Sequence, residues 1–267
     1  MSIFQSITTG ILYTPPSAVT YDATVQLWAD SMSATPTTTL MQALSDCVTN
    51  LKSDGIWTKF DRFFLLACND KQQALRCVAT LNDASLVGSP TFSANTGFVN
   101  MSTSNYINSN YDSATSSTGL TQNSAHIGMY ITNDTVTGSH PQADIGHENI
   151  CISANRSASL GPMHKINSST IVNVATVYST IGHWTNTKTA TTQISLWREA
   201  TLINTATVDS WTMSSRDFYI GTDNVTTGPA GSTDRSMSLG YWGAGLSGAE
   251  CATLDTRIQT LRTALGF

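Results

Sequence analysis

Within HPQADIGHEN, residues 140–149, two histidines, an aspartate and a glutamate fall inside ten positions. Asp144, His147 and Glu148 are the residue types that ligate zinc or a harder cation. Their spacing matches no H-E-x-x-H motif or related signature, so no metal is assigned. Asp144 and Glu148 are read as loop residues flanking a strand, with the histidines solvated.

Other chemistry is harder still to assemble. Glycoside hydrolysis commonly needs two carboxyl groups held several ångströms apart, one protonated and one ionised. The only glutamates, Glu148, Glu199 and Glu250, lie about fifty residues apart along the chain, and no E-x-D-x-x-E strand motif places an acid and a nucleophile on one face. Neither the G-x-S-x-G elbow nor a glycine-rich phosphate loop occurs. Cys47, Cys68, Cys77, Cys151 and Cys251 are odd in number and never form a C-x-x-C pair. They are read as small buried residues rather than as zinc ligands or a disulfide framework. The sequence points to no enzyme and to no cofactor.

Aromatic residues offer a different chemistry, stacking on the face of a sugar ring. Trp184, Trp197, Trp211 and Trp242 qualify by type, and Trp184 and Trp197 are the glycan-binding candidates. In QISLWRE, alternation sets Ile194 and Leu196 on one face of a strand and Trp197 with Ser195 on the other. A tryptophan on that second face can equally pack against another layer, the commoner fate of a large ring.

Composition limits what could position such groups. The chain has 267 residues, 40% of them apolar, enough for one large β domain or two small ones. Charged residues are only 12%, whereas Ser and Thr together make up about a quarter of the chain, well above average usage. Twenty-two aromatic residues and a formal net charge of -5 argue against disorder. A β-rich fold accounts for the bias, with threonine in half-exposed strands and serine and asparagine in turns. With a pI near 5.4 and no basic cluster, nucleic acid is excluded as a main partner. No run reaches the roughly 18 apolar residues of a membrane span, and MSIFQSITTGILYTPPSAVT lacks the basic and apolar regions of a secretory signal.

The elements follow from periodicity. Residues 1–35, with Pro15-Pro16, read as an N-terminal arm or extended segment, and residues 36–267 as the folded domain. Apolar positions from Leu40 to Leu51 recur at helical steps between Pro36 and Gly55, giving a helix over 37–53. In GIWTKFDRFFLLACNDKQQAL, residues 55–75, Phe63 to Ala67 is an unbroken apolar run of strand length, expected to be buried on both faces. Asp61 and Asp70 then bracket it at turns, and the stretch is framework rather than active site.

Further strands are expected over 74–81, 91–101, 126–131, 149–154, 171–177, 193–198, 201–205, 218–222 and 236–242. Residues 102–123 form a long polar loop, the most promising contact surface. Ser247 and Glu250 make a capping box that opens a C-terminal helix. The fold class is mainly β: an antiparallel two-sheet sandwich with one helix before it and one after.

The blocks GIWTKFDRFFLLACNDKQQAL followed by GSPTF, then AHIGMYIT, TTQISLWREATLI and MSLGYWGAGLSGAECATLDTRIQTLRTALG, resemble phage and prophage proteins that carry a laminin-G/concanavalin-A-like jelly roll. The resemblance runs from about residue 36 to the C-terminus. It implies a virion component of a tailed phage, a capsid decoration, head fibre or tail fibre, made in the host cytoplasm. Its implied partners are other virion subunits, with itself as a homo-oligomer, often a trimer, and in some members a surface glycan. The calcium site usual in such lectins, built from closely spaced Asp and Asn, has no clear counterpart here. The expected function is therefore structural docking within a virion, with a lectin-like module for host adsorption as the alternative.

Overall fold

The computed structural model describes residues 19–133, 143–157, 159–231 and 234–267. Along the chain the elements are α1 (Ala23–Asp30), α2 (Thr38–Ser53), β1 (Phe60–Leu65), α3 (Lys71–Leu75), β2 (Ser85–Val87), β3 (Thr91–Ser93), β4 (Gly97–Val99), β5 (Tyr106–Asp112) and β6 (Ala125–Ile131). Then follow β7 (Ile145–His147), β8 (Ile150–Ser153), β9 (Met163–Ile166), β10 (Val172–Asn173), β11 (Gly182–Ala190), β12 (Gln193–Arg198) and β13 (Thr201–Thr207). The last are β14 (Asp217–Ile220), β15 (Asp223–Val225), β16 (Gly228–Ala230), β17 (Met237–Gly243) and α4 (Gly248–Leu265).

Two antiparallel sheets face each other. One has the order β13-β12-β11-β6-β17-β4-β3, with β1 also paired to β17. The other runs β10-β9-β8-β7-β14-β5-β2, with β15 and β16 attached beside β7. The expected sandwich is present, and α2 and α4 add a third layer. Strand β17 shows why its sequence, MSLGYWG, does not alternate: it is buried along its whole length. On one side Trp242 stacks on Phe218 of the opposite sheet, ring centroids 4.8 Å apart and 6° from parallel. On the other, Tyr241 packs edge-on against Phe60 and stacks near Phe63.

Strand β1 is likewise buried throughout, with Phe64 beside Trp242 on the inter-sheet side. Each such ring, fully enclosed, contributes about 1.5–3 kcal/mol. The free edge of β1 is covered by the chain at 77–78, where Val78 N donates to Phe63 O at 2.9 Å. Trp57 closes the corner, 5.6 Å from Phe63.

The helices are capped as their sequences require. Thr37 accepts from Leu40 N at the start of α2, and Ser247 and Glu250 form the reciprocal box that opens α4. Gly266 ends α4 in the left-handed region at φ 78°. A buried polar chain fastens α4 to the sheet: Asp255 Oδ1 lies 2.8 Å from His183 Nδ1, whose Nε2 is 2.5 Å from the Tyr241 hydroxyl. Among the described residues no helix is long and apolar enough to cross a membrane.

Several expectations are corrected. Residues 1–18 of the expected arm lie outside the described residues, but Ala23–Asp30 is a helix that buries Val25 and Trp28 in the core. Residues 74–81 are not a strand, because Asp70 caps a short helix over Lys71–Leu75 and the chain then turns through Leu81 at φ 62°. The expected 102–123 loop contains β5, an inner strand of the second sheet. Its core-facing positions are Ile107, Ser109 and Tyr111, and a buried serine among asparagines conceals the alternation. Asp61 sits inside β1, at an irregularity in its pairing, rather than at a turn.

Candidate functional site

The acidic segment does not converge on an empty centre. Asp144 is a buried ion-pair partner of Arg235, N to O 2.5 Å, and also accepts from Ala154 N at 2.8 Å. His147 is fully buried, not solvated. Asn149 N donates to its Nδ1 at 3.1 Å and Ser113 Oγ lies 3.2 Å from its Nε2, while the Ser113 hydroxyl itself donates to Ser214 O. That chain requires the neutral ring with the proton on Nε2. Burial lowers its pKa to about 3. Glu148 accepts from Ser214 and Thr226 hydroxyls and pairs with Arg216 at 3.2 Å. Each of the three is used by a different partner, and among the described residues no group of three His, Cys, Asp or Glu could hold a metal ion. His140, the remaining member of that cluster, lies outside the described residues.

The tryptophan candidates are also redistributed. Trp184 is fully buried, its indole N–H donating to Thr180 O at 2.9 Å, so it presents no face to a sugar. Trp197 packs against the first turn of α4, where a Cβ added to Gly248 would come within 2.9 Å of its ring. Trp242 and Trp28 are core residues. Trp211 differs, with 49% of its surface exposed.

Trp211 lies in the 208–216 connection that crosses from the end of β13 to the start of β14. The loops 113–124, 148–149, 167–171 and 244–247 share that end of the sandwich, as the strand registers require. Asn167 is the hub that ties them together. Its backbone N donates to Asn149 O at 2.7 Å, and its side-chain Nδ2 donates to Thr121 O and Gln122 O at 3.0 and 3.1 Å. Its carbonyl accepts from Trp211 N at 2.8 Å and from Lys188 Nζ at 3.0 Å. Asn167 holds φ at 41°, a conformation that asparagine tolerates better than most residues.

Lys188 is wholly enclosed beneath this hub, and desolvation lowers its pKa. A buried ammonium aimed at two loop carbonyls, those of Ile166 and Asn167, fixes their direction at an electrostatic cost.

Almost every residue of the tryptophan loop is tied down. Val208 N donates to Thr192 O at 2.8 Å, and the Ser210 hydroxyl accepts from Gln122 and donates to Asn123 Oδ1 at 2.8 Å. Asn149 Nδ2 donates to Thr212 O at 2.9 Å, and the Ser113 hydroxyl to Ser214 O. Asp209 is fixed by the Ser168 hydroxyl, by Ser169 N at 3.0 Å and by the Ser169 hydroxyl at 2.6 Å. Those hydrogen bonds from Ser168 and Ser169 hold its carboxyl far below the usual range, so it is ionised. The result is a stiff backbone carrying an exposed indole, an exposed carboxylate and, at its rim, the exposed residues Thr121, Asn123, Ser169 and Thr212.

The neighbouring 113–120 loop is anchored from below by Asp61. Its Oδ1 accepts from Gly119 N at 2.7 Å and the Thr118 hydroxyl at 2.6 Å, and its Oδ2 from Leu120 N at 2.9 Å and the Tyr111 hydroxyl at 2.6 Å. Burial alone would raise the pKa of this carboxyl, but these hydrogen bonds together hold it below the ordinary value.

Sequence reasoning named Trp211 by type but ranked Trp184 and Trp197 above it, and it missed Asn167, Lys188 and Asp209. A usable signal was present for Trp211: in VDSWTMSS the ring stands between polar turn residues with no apolar alternation. Asn167 and Lys188 carry no such mark.

No protein-family model matches the chain, and no curated protein matches it by sequence. Solved structures do match in fold. Trypanosoma rangeli sialidase in complex with sialic acid gives a TM-score of 0.55 at 11% identity, over 82% of this chain and 39% of that one. The binding domain of botulinum neurotoxin serotype D/C gives 0.54 at 12% identity, over 76% and 53%. The binding domain of botulinum neurotoxin DC in complex with SialylT gives 0.52 at 14% identity, over 76% and 52%. The chain thus spans between 39% and 53% of the length of these three proteins. What it shares with them is the β-sandwich fold.

Proposed function

We propose that this chain is a non-catalytic carbohydrate-binding module whose sugar surface is the loop end around Trp211. The observation that carries the reading is a half-exposed indole on a loop tied down through backbone or side chain at most of its residues. A sugar ring offers an apolar C–H face edged by hydroxyls, which suits an aromatic face rimmed by fixed polar groups. Rigidity lowers the entropy lost on binding, so a shallow surface can still hold a ligand.

Two further facts support it. The fold is shared with proteins whose structures hold sialic acid or SialylT. Each glutamate is engaged in an ion pair of its own, Glu148 with Arg216, Glu199 with Arg198 and Glu250 with Lys59, which favours framework roles for all three. The test is a glycan array followed by calorimetry on the best ligand. Trp211→Ala should lose binding at least tenfold with an unchanged melting temperature, and Trp211→Phe should recover part of it. Full binding by the alanine variant would remove the reading.

A second reading, subunit docking in a phage virion as a homo-oligomer, is favoured by one feature. Strand β13, TLINTAT, is a sheet edge of seven residues with no charge and no proline, the devices that usually block edge pairing. Leu202 on it is 48% exposed. A second copy could extend the sheet there. Sedimentation should then give an oligomer that Leu202→Lys with Thr205→Lys returns to monomer, and antibody labelling should locate the protein on intact particles.

A further inference from the structure

The loop end around Trp211 places one charge beside the indole, and that charge is negative. Asp209 and Trp211 are separated by Ser210 alone, both are exposed, and both hang from the 167–169 turn: Trp211 N donates to Asn167 O at 2.8 Å, and Ser169 N to Asp209 Oδ1 at 3.0 Å. Two carboxylate oxygens offer about four acceptor directions, and Ser168 and Ser169 make four hydrogen bonds to them, so what this carboxylate presents to a ligand is its charge.

All the donors on this carboxylate are hydroxyls and a backbone N–H, so none neutralises it. Lys188 is enclosed beneath the turn with its Nζ donating to two carbonyls; it attracts Asp209 through space but makes no ion pair with it and is not exposed to a ligand. Arg216, farther along the same connection, is paired to Glu148. Among the described residues no Lys or Arg is ion-paired to Asp209.

We infer that the surface selects carbohydrate without negative charge, neutral hexoses or amino sugars, and rejects sialylated and uronic-acid glycans. This rests on the reading of the Trp211 loops as the sugar surface. The physical ground is that a fixed, exposed carboxylate attracts an ammonium and tolerates a neutral ring, whereas a second carboxylate brought beside it meets like-charge repulsion that the enclosed Lys188 offsets only in part. Like-charge rejection of this kind is a device of specificity rather than of affinity.

The experiment compares matched ligands on the full chain by calorimetry: a neutral trisaccharide, its sialylated counterpart, and the neutral parent with one amino sugar. Binding of the neutral and amino forms should exceed that of the sialylated form at least tenfold at low salt. The gap should narrow in high salt, since screening weakens exposed charges. In Asp209→Asn the gap should fall to within about threefold, because the repulsion is gone while an amide still hydrogen-bonds. Ser169→Ala, which frees the carboxylate to move, is the second variant and should give an intermediate gap. Equal or tighter binding of the sialylated ligand by the unaltered protein overturns the inference and leaves the sugar-binding reading standing. Absence of binding to all three, and to every glycan on an array, overturns both.

Discussion

The segments 144–149 and 208–214 both gather polar and ionisable side chains in a few residues, and they end in opposite conditions. In the first, Asp144 is consumed by Arg235, His147 by Ser113 and Asn149, and Glu148 by Arg216, Ser214 and Thr226. Internal partners engage all three, and Asp144 and His147 are buried. In the second, Trp211 is tied through its backbone N–H and leaves its indole outward, and Asp209 stays exposed although Ser168 and Ser169 hold its carboxylate. Residue type alone therefore ranks such segments wrongly. What separates framework from site is whether the group that could meet a ligand stays exposed once its internal hydrogen bonds are made.

The comparison is most exposed to failure at Asp144. If its role is internal, Asp144→Ala should take the carboxylate from the buried Arg235 ion pair and cost about 3–5 kcal/mol in urea unfolding. Chelators should leave the melting temperature of the unaltered protein unchanged. Stabilisation by an added divalent ion that disappears in the variant would instead make this segment a metal site.

Asp223 sharpens the contrast from another side, being a buried acid with Oδ1 unpartnered. Burial raises its pKa from 3.8 to about 7. In the unfolded chain the carboxyl ionises near the ordinary value, so between about pH 4 and 7 the folded state holds the extra proton and stability falls as pH rises. Above pH 7 the loss is complete, on the order of 4 kcal/mol for a shift of this size. Asp223→Asn should remove that slope, melting higher than the unaltered protein at pH 8 and close to it at pH 4. A parallel pH dependence in the two proteins would show that some other group sets it.

The sandwich was legible because its burial is written in long apolar runs: Phe63 to Ala67 and the buried strand ending at Trp242 could be placed without coordinates. The loop end was not. Its hub, Asn167, is an asparagine in the sequence KINSST, indistinguishable from any turn residue until β9 and the 208–216 connection are brought together. Lys188 is a lysine in a strand of threonines, and nothing local says that it is enclosed. Strand β5 was missed for the related reason that Ser109, fully buried, carries no apolar signal. Groups whose role is to receive long-range hydrogen bonds leave no periodicity behind.

Asn167→Gly tests that hub while preserving its left-handed backbone. Loss of the two bonds to the 121–122 carbonyls should cost about 1–3 kcal/mol. It should also weaken sugar binding with Trp211 untouched, by loosening the surface rather than removing a contact. Hydrogen exchange should locate the loosening in 120–124 and 208–213. An equal loss of stability with unaltered affinity would separate the hub from the site.

The smallest effect belongs to Glu148, the one member of the acidic trio near the surface. Its ion pair with Arg216 spans 3.2 Å, and both side chains keep nearly a third of their exposure. Solvent screens such a pair, and its worth is about 0–1 kcal/mol. Burial tends to raise the pKa of Glu148, but the hydroxyls of Thr226 and Ser214 together with Arg216 outweigh it and hold the pKa below the ordinary value. Whatever stability this supplies is present above the ordinary carboxylate range and is lost as pH falls through the lowered pKa. Glu148→Gln removes the charge, keeps an acceptor for one hydroxyl and turns an amide donor toward the other, which can rotate to accept it. At pH 7 it should shift the melting temperature by a degree or two at most, and below the lowered pKa the difference should vanish. Because Ser214 joins Glu148 to the end of the tryptophan loop, sugar affinity should stay within about twofold. A larger fall in affinity would extend the binding surface from Trp211 to Glu148 and erase the distinction between the two segments.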